Sequence, residues 1–159
     1  MIDAIHNQFT FKGRYQIKVL DSVTGELKRT SPWIQNQVMS NNNNGVRVFI
    51  QYLLNNKVNP ITITSAKIGS GSTTPTVDDT DLEAPVTSNI PIARKANVGG
   101  TTAQFEFFIT DASLPDGTYN EFGIFMGAII FARSIISPAF TKATGEDTQI
   151  TYEVAVSVV

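Results

Sequence analysis

The densest group of side chains able to do chemistry is Asp78, Asp79, Asp81 and Glu83, which follow the run GSGSTTP that begins at Gly69. Hard cations such as calcium take several carboxylate oxygens at once, so Asp78, Asp79 and Asp81 are candidate metal ligands. Their spacing lacks the alternating ligands and central glycine of an EF-hand loop, and the same residues in a solvated turn hydrogen-bond their own backbone. The glycines before them invite phosphate. Yet GSGSTTP has neither the Lys-Ser/Thr ending of a nucleotide-binding loop nor the third glycine of a dinucleotide fingerprint, and no helical pattern follows it. No cofactor is expected.

The remaining groups point the same way. His6 is the sole histidine and cysteine is absent, which leaves no thiolate site, no disulfide framework and no histidine cluster within one chain. A Ser-His-Asp arrangement would have to draw on the weakly patterned N-terminus, so His6 is expected at a surface or an interface. Asp111, Asp116, Glu121, Glu146 and Asp147 fall mostly in turn-like segments, and none forms a recognisable acid–base pair. Catalysis is therefore not expected. Trp33, Tyr52, Phe105, Phe107, Phe108, Phe122, Phe125 and Phe131 could stack on sugars or bases, but at strand or helix spacing they read as core. Within FEFFI, Phe108 faces away from Phe105, Phe107 and Ile109, so it needs cover from a helix, a second sheet or another subunit.

These side chains must be positioned mainly by strands. RYQIKVL (residues 14–20) alternates Tyr15, Ile17 and Val19 with Arg14, Gln16 and Lys18, the period of a half-buried strand. The turn DSVTG and an extended stretch over 26–34 complete a hairpin, with Pro32 ending the second strand or placing it at an edge. Val46, Phe49, Ile50, Leu53 and Leu54 follow the spacing of an amphipathic helix starting at Asn44 and ending at Asn55, which is expected to pack across a sheet. A strand over 61–68 stops at Gly69. Residues 70–81 read as a loop, with Gly71 free to adopt positive φ. Further strands are expected at 86–96, 101–110, 120–126, 129–137 and 149–158. In the last of these, Ile150, Tyr152, Val154, Val156 and Val158 face inward and Gln149, Thr151, Glu153, Ala155 and Ser157 face outward.

Many short strands and one helix predict a mainly β fold, an antiparallel β-sandwich or barrel-like domain. A chain of 159 residues suits a single domain, taken as residues 13–159, preceded by an arm of residues 1–12 that either orders against a neighbour or stays disordered. Charged residues are only 16% of the chain, which implies a neutral polar surface or one covered by other subunits. The net charge of -2, with no basic run, argues against a nucleic-acid partner. The apolar run 122–132 is interrupted by Gly123 and Gly127 and falls short of the roughly 20 residues of a membrane-spanning helix, so no membrane partner is expected. The N-terminus lacks a basic region followed by an apolar stretch, so synthesis in a cytoplasm is expected.

The order of the motifs carries a resemblance. The hairpin turn Asp21 to Glu26, the Asn-rich run before the helical pattern, IGSGSTTPTVDDTDLEAPV, NEFGIF and FARSIISPAFTKATGED before an alternating last strand are similar to small structural proteins of tailed-bacteriophage virions. The similarity runs from Arg14 to Val159. It implies a non-enzymatic, β-sandwich-like tail, baseplate or fibre component, a scaffold or adaptor that associates with itself and with other virion proteins. The localisation implied is the virion. Alternatives are a capsid-decorating or neck protein, or a module binding a carbohydrate or receptor such as a host surface glycan. Ile124 stands where the family often has Leu, and the tight connection Met126 to Ile129 replaces a longer polar hairpin, which argues against a receptor-binding tip there. Candidate interface residues are His6, Phe9, Phe11, Thr73, Thr74, Pro75 and Phe108.

Overall fold

The structure is a computed structural model that describes residues 9–38, 50–51, 53–55 and 61–158. It contains strands β1 (Phe9–Asp21), β2 (Leu27–Thr30), β3 (Ile34–Val38), β4 (Ser65–Gly69), β5 (Ile90–Val98), β6 (Thr102–Ile109), β7 (Gly117–Met126), β8 (Ile129–Lys142) and β9 (Glu146–Val158). All pairings are antiparallel. Alternation sets the longest of them: Tyr15, Ile17 and Val19 of β1 meet Tyr152, Ile150 and Thr148 of β9, and the ladder runs from Phe9 opposite Val158 to Asp21 opposite Glu146. Tyr15, Ile17, Ile150 and Tyr152 are fully buried on the inward side.

The β1–β9 ladder closes the sheet. The order β1-β3-β8-β7-β4-β5-β6-β9 returns to β1, so of the two expected architectures the fold is a barrel, with β2 added outside the ring on β1. Two joints in the wall are short. β3 meets β8 through Gln37–Arg133 and Val38–Ala132, and β4 meets β5 through Ser65–Pro91 and Ala66–Ile90. Inside, Tyr15, Phe107, Phe122, Ile124, Ile150 and Tyr152 fill one core. Even its hydroxyls are placed, since the Ser134 hydroxyl and the Tyr15 hydroxyl are 2.7 Å apart, and Asn36 donates to the Tyr152 hydroxyl at 2.6 Å.

Several boundaries differ from expectation. The arm shortens because Thr10 to Lys12 continue the β1 ladder against β9, while residues 1–8 lie outside the described residues. The extended stretch after the first hairpin is two strands on the same edge of β1, separated where Pro32 removes a donor and the Ser31 side chain accepts the Ile17 N–H at 2.9 Å instead. The strands predicted from residues 61 and 86 begin later, at Ser65 and Ile90. Most of the expected helix from Asn44 to Asn55 lies outside the described residues. What is described is a single helical turn, in which the Leu54 N–H donates to the Ile50 and Gln51 carbonyls and Asn55 ends the turn at φ 62°. Its apolar residues do not pack on the sheet: Ile50, Leu53 and Leu54 are exposed.

Candidate functional site

From Glu121 onward β7 is buried on both of its faces. Phe122, Ile124 and Met126 enter the barrel core, whereas Glu121, Gly123 and Phe125 alternate with them and point out of the barrel. A strand hidden on its outer side needs a cover. Residues 70–86 provide it as a strap across the outer face of β4, β7 and β8. Leu82 of the strap packs with Phe125 and Ile130 in a small second cluster. It sits over Gly123, where a Cβ would lie 2.9 Å from Leu82 Cδ2 and 3.1 Å from the Ala132 carbonyl, so a larger residue would displace the strap. Lys67 and Arg133 flank Gly123 in the same cross-strand row. Lys67 lies over the Phe125 ring and pairs with Asp81 at 2.8 Å.

The strap is held by a buried carboxylate. Glu121, fully shielded, accepts the backbone N–H groups of Gly71 at 3.1 Å and Ala84 at 2.7 Å through Oε1, and that of Glu83 at 3.0 Å through Oε2. Arg133 Nε donates to the same Oε2 at 3.0 Å. The guanidinium, itself 3% exposed, then reaches outward to Asp79 at 2.7 Å and to the Thr73 carbonyl and hydroxyl at 3.2 Å. Glu83 accepts the Ser72 and Thr73 N–H groups at 2.7 and 2.8 Å. Both ends of the strap are thereby tied to one ion pair. Gly71 serves close approach here: its φ is not positive, and a Cβ would stand 2.5 Å from Glu121 Oε1, which corrects the expectation of a left-handed turn.

The electrostatics follow from these contacts. Burial pushes the Asp79 carboxyl up, but hydrogen bonds from Arg133 and Thr76 outweigh it and hold the group below its ordinary value. Hydrogen bonds from the Thr73 backbone and hydroxyl and the Ser72 backbone do the same for Glu83. Burial lowers Arg133, and its bonds to Asp79 and Glu121 raise it further than burial lowers it. The cluster is fully committed to its own partners. It can hold a loop in one shape.

Two of the three proposed metal ligands are accordingly engaged elsewhere, Asp79 by Arg133 and Asp81 by Lys67, and Asp78 is exposed on the strap. Among the described residues no group of His, Cys, Asp and Glu is arranged to hold a metal ion. The candidate interface residues do not form one site. Thr73 and Thr74 are exposed on the strap and Pro75 is half-buried. Phe108 is exposed on the opposite side of the barrel, in a row with Gln149 and Lys18. Phe11 is no free surface residue, because it packs against the core from the inner side of β1. The backbone of Phe9 pairs with Val158, while its side chain and His6 lie outside the described residues. In the sequence Glu121 stands only among several carboxylates without a recognisable partner, and Arg133 carries no site role. Their signal is legible in retrospect, as one acid and one base inside the apolar run YNEFGIFMGAIIFAR.

A second polar cluster closes one end of the barrel. Lys142, 2% exposed, donates to the Asp111 carbonyl at 3.2 Å and the Asp116 carboxylate at 2.9 Å, and also pairs with the Asp111 carboxylate. Arg29 of β2 grips Glu146 with two hydrogen bonds of 2.6 and 2.7 Å, and these chiefly hold the Glu146 carboxyl down at about 2. No helix among the described residues is long and apolar enough to cross a membrane. Compared with known proteins, the chain matches no family model, no curated protein and no solved structure.

Proposed function

We propose that this chain is a non-enzymatic structural protein of a tailed-bacteriophage virion, a tail-, baseplate- or fibre-associated scaffold or adaptor that associates with itself and with other virion proteins. The observation that carries the reading is the strap. The segments behind the resemblance fall in two stretches of the chain, GSGSTTP and DDTDLE within 69–83 and NEFGIF and FAR within 120–133, which meet at Gly71, Asp79, Leu82, Glu83, Glu121, Gly123 and Arg133. Their chemistry is that of a rigid fastening, which presents Thr73 and Thr74 on a fixed loop for contact with another protein. The test is a particle: proteomic identification of the chain in purified virions, with a cryo-EM map locating the barrel, supports it. Virions purified from the producing host that lack the chain overturn it.

A glycan-binding module is the second reading, favoured by Phe108, which is 43% exposed beside the amide of Gln149. A monomer that binds glycan arrays through Phe108 and loses binding in F108A selects this alternative.

A further inference from the structure

We propose that copies of this chain associate by seating the apolar turn Ile50, Leu53 and Leu54 of one in the open mouth of the barrel of another. This rests on the self-associating reading above and names the surface that would serve it. The mouth is a groove of about 770 Å³ formed on the inner side of the β5–β6 hairpin, with Ala103, Phe105, Val154 and Val156 among its lining residues. Lys95 and Asn97 stand opposite Phe105 and Ala103 in the cross-strand rows, so they share the inward side, yet both are exposed. β5 is open there because its pairing with β4 ends at Pro91 among the described residues.

The turn is complementary to this groove in character. Ile50, Leu53 and Leu54 are 49%, 66% and 77% exposed, an unusual cluster of large apolar side chains on a single turn. The described residues of the turn carry no charge, and among the described residues lining the groove only Lys95 is charged, so contact strands no ion pair. The strands that bracket the turn and the hairpin that forms the groove share one end of the barrel. β3 ends there at Val38 and β4 starts there at Ser65, the two strands that bracket the turn, and the β5–β6 hairpin turns at Gly99 and Gly100 beside Val156. Within one chain Ile50, Leu53 and Leu54 are exposed and are not among the described residues that line the groove. Two copies meeting end to end bury both turns in both mouths, a reciprocal contact of the kind closed dimers use.

The absence of native cysteine makes the test clean. Light scattering and sedimentation over a concentration range compare the wild type with L53D and A103R, substitutions at two exposed positions, each variant first checked for a wild-type circular dichroism spectrum. Each variant is expected to weaken association at least about tenfold, as loss of a central apolar anchor does. Separately tagged L53C and A103C chains, mixed under oxidising conditions, are expected to form a disulfide between chains. A disulfide formed instead within a single L53C/A103C chain, with none between the mixed chains, overturns the inference. Undiminished association of L53D and A103R, or failure of the mixed cysteine chains to cross-link, also overturns it and leaves self-association to another surface. A wild type that stays monomeric at all concentrations removes both the inference and the self-association on which it rests.

Discussion

The barrel carries acid–base pairs on two outer faces that have opposite fates. Over β4, β7 and β8 the strap covers Glu121 and Arg133, whose side chains are 0% and 3% exposed. Over β1, β9, β6 and β5 the pairs Arg14–Glu153 and Arg94–Glu106 have no such strap among the described residues, and the arginines are 48% and 71% exposed. The chemistry of the pairs is alike. What differs is the solvent: a buried charge without its partner costs several kcal/mol, while an exposed pair is screened and contributes about 0–1 kcal/mol. One face uses charge to fix a loop, and the other uses it as a soluble coat.

The largest effect is therefore expected from Glu121→Gln. The amide keeps the shape but leaves Arg133 short of a buried counter-charge and turns one acceptor oxygen into a donor facing backbone N–H groups. A loss of about 3–5 kcal/mol in urea denaturation is expected, a large part of the roughly 5–15 kcal/mol by which a domain is stable. Hydrogen exchange should rise first at Gly71, Glu83 and Ala84, the donors to Glu121. Replacing both partners, as E121L/R133M, should recover part of the loss, because no charge is then stranded. A single-variant loss below about 1 kcal/mol would show the pair to be as idle as one on the open face.

Gly123→Ala tests the apolar half of the same fastening. Its new methyl group would meet Leu82 at 2.9 Å, so the strap must lift or β7 must bend. Overpacking of this kind costs about 1–3 kcal/mol, measured as a shift in denaturation midpoint with an unchanged barrel by circular dichroism. Unchanged stability and unchanged exchange in the strap would mean that Leu82 is not seated where the geometry puts it.

The contrast between the faces also explains what was legible in the sequence. β1, β6 and β9 have one wet face, so Tyr15, Ile17 and Val19 alternate with polar neighbours and the strands can be read directly. β7 from Glu121 and the first half of β8 are dry on both sides, so their pattern is nearly continuous and says nothing about what covers them. The strap has no periodicity, since its shape comes from Glu121 and Arg133, which lie 37 or more residues away from the groups they hold at Ala84, Glu83, Thr73 and Asp79. Reading Asp79 as a metal ligand was chemically sound in its demand for a cation; the cation is Arg133. Barrel closure was equally hidden, because it depends on the pairing of the first strand with the last.

Acid separates the strap from the barrel end. Asp79 and Glu83 are held below ordinary values of 3.8 and 4.5, so they bind fewer protons folded than unfolded near those values. Their contribution is complete above the ordinary range and is lost as pH falls through their lowered values. Glu146, ordinarily at 4.5 and held at about 2, loses its contribution progressively as pH falls from about 4.5 to about 2, so its loss extends further into acid. Protection factors at Ser72 and Thr73 should drop during acidification, and E146Q should flatten the acid limb of global stability. Protection at Ser72 and Thr73 that does not change with pH would break the link between the strap and its carboxylates.

The smallest effect is expected on the open face, from Glu153→Gln. Glu153 accepts from Arg14 at 2.9 Å and from Gln104 at 3.0 Å, so on a contact map it looks as well connected as Glu121. Arg14, however, is half exposed and also lies over the Trp33 ring, 4.3 Å from its centroid, so it keeps solvent and a stacking partner when the carboxylate is neutralised. A change of about 0–1 kcal/mol is expected, diminishing further in high salt, whereas the E121Q deficit should persist because water and ions do not reach that pair. Running both variants through the same salt series sets them against each other. Equal losses with equal salt dependence would mean that cover by the strap does not distinguish the two faces.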